Sequence, residues 1–313
     1  MSLPMFRPEE NPGPSFTEVL RRVGVDPFAA VTASLSSLRH DAGAAALSGP
    51  AAPFDIRHGT TICAIRYADG VVMAGDRRAT AGSSIAHRMM DKVHPADRHS
   101  GVAIAGAAGP AVEMVKLFQL QLEHYEKVEG AAISLEGKAN QLSQMVRSNL
   151  AMAMQGFVVV PLFAGYDVRR GVGRIYTYDP TGGRYEETDF HADGSGGRDA
   201  RTTIKLGWQP DLDRAACIEL AVRALWEAAD EDSATGGPDV VRGIYPTVAT
   251  ITAAGFQRIE SAEVAERFAT VVANLSEISS NGSRRALSSG EGPESQSSGS
   301  QPSGSQSDEE AER

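Results

Sequence analysis

Cysteine is nearly absent from this chain: Cys63 and Cys217 are the only two in 313 residues. Two thiols exclude a disulfide framework and a four-ligand zinc site of the cysteine-rich kind. Basic charge is also in the minority. Thirty Lys and Arg face forty Asp and Glu, a formal net charge of −10, so the basic stripe that a nucleic-acid surface needs is missing. No apolar run approaches the roughly 20 residues of a membrane-spanning helix. The opening MSLPMFRPEENPGP has no basic stretch followed by an apolar one, so no secretory signal is visible. These absences point to an acidic globular protein of cytoplasmic type, without membrane or nucleic-acid partners.

Common catalytic signatures are missing as well. His87, His94 and His99 lack the i, i+4 spacing of a zinc helix, and they read as core or surface histidines. The glycine-rich GSGG at 194–197 is not followed by Lys-Ser/Thr, which excludes a phosphate loop. No GxSxG elbow occurs. Cys63 lies in an apolar strand pattern, where a thiol is an inert small hydrophobe.

What is present falls into three zones. Residues 1–59 are rich in Ala, Ser and Pro, with weak helical patterns after Ser15 and over Thr32–Leu38, and a Pro/Gly linker at 48–54. Their apolar content is too low for a core of their own. The zone from Thr60 to about 280 is densely patterned. TTICAIRY and VVMAG form a hairpin around Ala68-Asp69-Gly70, and KVHPAD pairs with GVAIAGAAG. Helical spacing follows over 109–128 and 138–154, then a meander of three strands over 157–167, 173–180 and 184–194. A helix at 211–229, a strand at 245–255 and a helix at 262–275 complete it. This order implies two stacked antiparallel sheets covered by helices on both outer faces. From Asn281 to Arg313 the chain is Ser/Gly/Gln-rich and acidic at its end, the composition of a disordered tail.

One junction invites chemistry. A linker ends at Gly59 and a strand begins at Thr60. Cleavage between them would place a hydroxyl nucleophile and an α-amine on one residue. The amine's ordinary pKa of about 7.7–8.0 leaves it able to act as base near neutrality. The plainer reading of Thr60 and Thr61 is that β-branched residues start a strand. Asp76, Lys92 and Gly106 supply an acidic partner, a cation to tune the hydroxyl and a backbone N–H for an oxyanion. Taken singly, each reads more readily as a solvated charge or a turn glycine.

The motifs HG|TTI, GVVMAGDRRAT (70–80), DKV (91–93), IAGAAG (104–109), LEHYEK (122–127), NLAMAMQG (149–156), PLFAGYD (161–167), GSGG and DSATGGPDVVRGIYPT (232–247) occur in an order that resembles the β-subunits of actinobacterial proteasomes. The resemblance spans nearly all of residues 58–255. It implies an α+β, four-layer αββα sandwich of the N-terminal nucleophile hydrolase fold, acting as a threonine endopeptidase without cofactor or metal. Thr60 would be nucleophile and, through its freed amine, base. Asp76 and Lys92 would tune it, the Gly106 N–H would hold the oxyanion, and Ser195, Asp232 and Thr235 would surround the amine. Thr235 stands where many members carry serine, and Arg78 reads as a structural partner of Asp76.

The same resemblance makes residues 1–59 a propeptide removed by autocatalysis at Gly59–Thr60. Ala79, Met90, Ile104 and Ala108 would then line the pocket for the residue before the scissile bond. Implied partners are an α-subunit, further β-subunits in heptameric rings stacked four deep, a hexameric ATPase, and substrates tagged with a ubiquitin-like protein. Three rivals differ in the sequence itself. The related bacterial two-component peptidase usually carries almost no propeptide. A silent ring subunit would have lost one of Gly59, Thr60, Asp76 or Lys92. A small-molecule amidase of the same fold would not match the motifs from 122 to 247.

Overall fold

The computed structural model describes residues 59–288 except 83, with side chains up to residue 276. Residues 1–58, including the helical patterns and the linker expected there, lie outside the described residues, as does the chain beyond Ser288. The chain divides after Thr270 into two units. The first carries both sheets.

Strand β1 (Thr61–Tyr67) turns at Ala68-Asp69 into β2 (Gly70–Gly75), with Ile62 opposite Gly75. β3 (Ala79–Ala81) and β4 (Ser84–His87) form a small separate hairpin, and β5 (Val93–Asp97) pairs with β6 (Ser100–Gly106). Helices α1 (Ala108–Glu129), α2 (Leu135–Ser148) and the short α3 (Leu150–Ala153) follow. Next come β7 (Val159–Asp167), β8 (Val172–Tyr178), β9 (Arg184–Glu187) and β10 (Phe190–Gly194). Helices α4 (Gly197–Gly207) and α5 (Arg214–Glu231), strands β11 (Thr247–Thr252) and β12 (Gly255–Arg258), and helix α6 (Ser261–Ser288) complete the order. One sheet runs β10-β1-β2-β11-β12 and the other β5-β6-β7-β8-β9, both antiparallel.

Strand alternation sorts the core into three layers. Ile62, Ala64, Val71 and Met73 of the first sheet meet Ala103, Ala105, Leu162 and Ile175 of the second. The other face of the first sheet, with Cys63, Ile65 and Val72, packs on Ile204 of α4, Leu225 of α5 and Phe268 of α6. The outer face of the second sheet, with Val102, Phe163 and Tyr176, packs on Phe118 of α1 and Leu142 of α2. Each such side chain removed from water contributes about 1.5–3 kcal/mol. The result is the αββα sandwich expected from the pattern. Burial pushes the Cys63 thiol up to about 12, so its sulfur is inert as read from the sequence.

Several element boundaries differ from expectation, each for a local reason. The helix expected over 138–154 starts at Leu135, because the Ser134 hydroxyl caps Gly137 N–H at 3.1 Å, and it breaks at Asn149. The strand expected over 184–194 divides. β9 stays in the second sheet, the chain bends at Thr188-Asp189, and β10 crosses to the first sheet beside β1. Asp189 fixes that bend by accepting from Arg66 through both its backbone oxygen (2.7 Å) and its carboxylate (2.9 Å). Helix α4 is additional: β-branched Thr202, Thr203 and Ile204 weaken any helical signal there, but Ala200 and Ile204, four apart, are buried on the sheet. The strand expected over 245–255 is the hairpin β11–β12. The last helix runs past Leu275 to Ser288, so 281–288 is helical where the tail was expected to start; Arg284, Arg285, Ala286 and Leu287 favour helix over coil. Among the described residues no helix is long and apolar enough to cross a membrane.

Candidate active site

The antiparallel register gathers chain ends at one pole of the sandwich. The start of β1 lies opposite the end of β2 (Ile62 with Gly75), the end of β10 (Thr61 with Gly194) and, through Gly75, the start of β11 at Thr247. The facing sheet brings the start of β5 and the end of β6 to the same pole. Asp76, Lys92 and Ser195 sit just beyond these strand ends, Gly106 is the last residue of β6, and Asp232 and Thr235 lie in the loop after α5. Residues up to 175 apart in sequence therefore surround the Gly59–Thr60 junction.

Asp76 is fully buried and saturated with donors. Its Oδ1 accepts Thr61 N–H at 2.8 Å and Lys92 Nζ at 2.5 Å; its Oδ2 accepts Arg78 N–H at 2.8 Å and Gly236 N–H at 2.9 Å. Lys92, 3% exposed, spends all three ammonium protons. They go to Asp76, to the Arg78 carbonyl at 2.6 Å and to the Gly59 carbonyl at 3.1 Å. Burial pulls the Lys92 ammonium below its ordinary range, against the opposing field of Asp76. Lys92 reaches the junction from the second sheet, since β5 pairs with β6 and not with β1.

On the other side of the junction, Thr60 N–H donates to Ser195 Oγ at 3.3 Å, and Ser195 N–H donates to the Thr60 carbonyl at 2.8 Å. The Ser195 hydroxyl donates to Asp232 Oδ2, and Thr235 Oγ1 donates to the same oxygen at 2.6 Å. Burial raises the Asp232 carboxyl, but the donors Ser195, Thr235 and Ala234 N–H, with the Lys92 charge, outweigh it and hold it below the usual range. Arg78 braces this loop through Nη1 to the Ser233 carbonyl at 2.8 Å. Gly106 has φ +108, and a Cβ there would lie 2.1 Å from the Val158 carbonyl oxygen. Only glycine therefore holds this backbone turn beside the junction.

Ala79, Met90, Ile104 and Ala108 come together with Gly59, Thr60, Lys92 and Gly106 around one small cavity. Its volume of about 20 Å³ is room for about one water, so in the uncut chain no large side chain fits. Three of its other walls, Asp91, His94 and Val112, escape sequence reasoning. His94 reads there as an ordinary histidine, and only the β5–β6 register turns it toward the junction. Burial lowers the His94 imidazole, outweighing the nearby Asp91 charge. Thr80 escapes as well: its Oγ1 accepts Gly59 N–H at 3.2 Å.

Asp91 fastens the segment carrying Met90 and Lys92. Its Oδ1 accepts from Arg258 at 2.7 Å, Arg77 at 3.0 Å and Thr247 Oγ1 at 3.1 Å, and its Oδ2 accepts from Arg258 at 3.0 Å. The Arg258 guanidinium is the main reason its carboxyl lies below the ordinary range. A depressed folded value means the charge-dependent stabilisation is whole above the ordinary carboxylate range. It disappears as pH falls through the folded value. Asp91→Asn is expected to lower the free energy of unfolding at neutral pH by less than about 1 kcal/mol, because the pair is partly solvated. Thermal unfolding across pH should show the gap to the parent closing as the pH falls below the ordinary carboxylate range; a gap independent of pH would exclude the carboxylate charge as its source.

A family model of proteasome subunits matches residues 56–242, which include every residue placed above except Thr247 and Arg258. The chain is 58% identical over 266 residues to a proteasome subunit beta of Acidimicrobium ferrooxidans, covering 85% of this chain and 92% of that one. It is 62% identical over 211 residues to a proteasome subunit beta of Streptomyces griseus, covering 66% and 75%. A proteasome subunit beta of Jonesia denitrificans is 54% identical over 220 residues, covering 70% and 73%. With a pole of buried donors around a Gly-Thr junction, an αββα frame, and likeness of this extent and order, this chain belongs to the proteasome subunit family.

Proposed function

We propose that this chain is a proteolytic β-subunit of a proteasome core, working in the cytoplasm as a threonine endopeptidase made active by self-cleavage. The observation that carries the reading is the Lys92 ammonium on the Gly59 carbonyl. The bond to be cut lies inside the site that its own cleavage would complete, polarised by a buried cation.

In the first reaction the Thr60 hydroxyl attacks the Gly59 carbonyl carbon, a C–O bond forms, and the Gly59–Thr60 C–N bond breaks. The nitrogen takes the hydroxyl's proton and becomes the free α-amine. Water then hydrolyses the ester and releases residues 1–59. In the second reaction the amine, through a water, accepts the hydroxyl proton as Thr60 attacks a substrate carbonyl. The adjacent Lys92 charge disfavours protonated amine, which keeps it basic-competent near neutrality. The Gly106 N–H stabilises the oxyanion, the amine returns its proton to the leaving peptide, and water clears the acyl-enzyme. Ala79, Met90, Ile104 and Ala108 make the pocket apolar, which favours cleavage after hydrophobic residues.

No cofactor enters either reaction. Assembly follows the resemblance: α-subunits and further β-subunits in four stacked heptameric rings, fed by a hexameric ATPase with unfolded proteins, including ubiquitin-like-tagged ones. Intact mass of the chain co-expressed with an α-subunit tests the reading. A β-species that begins at Thr60 is expected. A full-length chain inside an assembled, inert particle would overturn it in favour of a silent ring subunit.

A further inference from the structure

Thr61, next to the proposed nucleophile, carries a side chain that the mechanism above does not use. Along β1, Ile62 and Ala64 face the opposing sheet, whereas Cys63 and Ile65 face the helices. Alternation therefore sends the Thr61 side chain to the helix side, toward the loops that carry Ser195 and Asp232. There it is fully buried. Its Oγ1 accepts Gly196 N–H at 3.0 Å and lies 2.6 Å from Thr235 Oγ1.

The direction of these hydrogen bonds follows from counting protons. A hydroxyl has one, and Thr235 gives its own to Asp232 Oδ2 at 2.6 Å. The Thr61 hydroxyl must then donate to Thr235 Oγ1. A directed chain results: Gly196 N–H to Thr61, Thr61 to Thr235, Thr235 to Asp232, with Ser195 donating to the same carboxylate oxygen. Ser195 Oγ in turn holds the Thr60 nitrogen. Gly196 is adapted to this contact, since a Cβ there would come within 2.6 Å of Thr61 Oγ1 and 2.9 Å of Thr235 Oγ1. The backbone of Thr61 meanwhile donates to Asp76 Oδ1 at 2.8 Å, the atom that also holds Lys92.

We infer that Thr61 is a positioning residue for the Thr60 amine: its hydroxyl sets the Thr235–Asp232–Ser195 group while its N–H anchors Asp76, tying the two halves of the site together. It touches no reacting atom and acts through its neighbours. A valine in its place keeps the shape and the backbone anchor. It removes the donor to Thr235 and leaves Gly196 N–H buried without an acceptor.

This inference rests on the peptidase reading, and the test separates the two. Parent, Thr61→Val, Thr61→Ser and Thr235→Val chains are each co-expressed with the α-subunit and assayed with a fluorogenic peptide bearing an apolar residue before the scissile bond. Thr61→Val is expected to lower kcat about tenfold with KM within about twofold, as for a lost buried hydrogen bond that orients a base. Thr61→Ser restores the hydroxyl and should recover most of kcat. Adding Thr61→Val to Thr235→Val should cost little more than Thr235→Val alone, because both break one chain. Should the valine particle not assemble, Thr61→Ala, which adds no bulk, takes its place with the same expectation. A processed, active parent whose Thr61→Val form has parental kcat overturns the inference alone, as does a Thr61→Ser form no better than valine. An inert parent that keeps residues 1–59 overturns the peptidase reading and this inference with it.

Discussion

Thr60→Ala is expected to leave residues 1–59 attached and to lower peptide hydrolysis by about 10⁴-fold or more, the scale of deleting a nucleophile. In the proposed mechanism the hydroxyl serves twice, against Gly59 and against substrate, so one deletion would remove both reactions. The contacts around it do not depend on that hydroxyl. Thr60 N–H still reaches Ser195 Oγ, and Lys92 still holds the Gly59 carbonyl. The particle is therefore expected to assemble with an unchanged thermal midpoint and an intact mass larger by the propeptide. Thr60→Ser, which keeps a hydroxyl, should process and turn over. A Thr60→Ala particle that is processed and active would move the nucleophile elsewhere.

Lys92→Met is the second large effect, and it separates charge from fold. Removing one member of a buried ion pair costs about 3–5 kcal/mol, because the other charge stays buried. Asp76 keeps three backbone N–H donors, from Thr61, Arg78 and Gly236, which places the loss toward the lower end. Activity should fall about 10³-fold or more as the cation on the Gly59 carbonyl is lost, a scale comparable to removing an oxyanion donor. Combining Lys92→Met with Asp76→Asn removes the orphaned charge. Because the new amide NH2 must face at least one backbone N–H that Asp76 accepts, the double variant should recover only part of the thermal midpoint and none of the hydrolysis. Recovery of both would make Lys92 a purely structural residue.

Legibility followed the range of the forces involved. The β1–β2 hairpin declares itself in two apolar, β-branched runs around Ala68-Asp69-Gly70, and its register needs nothing else. Helix α1 declares itself in Val112, Val115, Phe118, Leu122 and Tyr125, spaced three or four apart, of which Val115, Phe118 and Leu122 are buried. Helix α4 was hidden because Thr202, Thr203 and Ile204 favour strand locally, while burial of Ala200 and Ile204 on the first sheet decides otherwise. The 184–194 segment reads as one strand because its propensity is continuous. Only the Arg66–Asp189 contacts, 123 residues apart, make it turn from one sheet to the other.

In the site the same division holds. Residue chemistry along the chain offered Gly59–Thr60, Asp76, Lys92 and Gly106 only as candidates, each with a plainer structural reading, and it was the order of motifs along the chain that grouped them into one expected site. Which sheet Lys92 comes from, that His94 lines the cavity, and that Thr61 hands its proton to Thr235 are properties of register and of strand alternation between partners as much as 174 residues apart. Such distances carry no local signal. They exist only once two sheets close on each other and hydrogen-bond geometry, steep within a few tenths of an ångström, selects the partners.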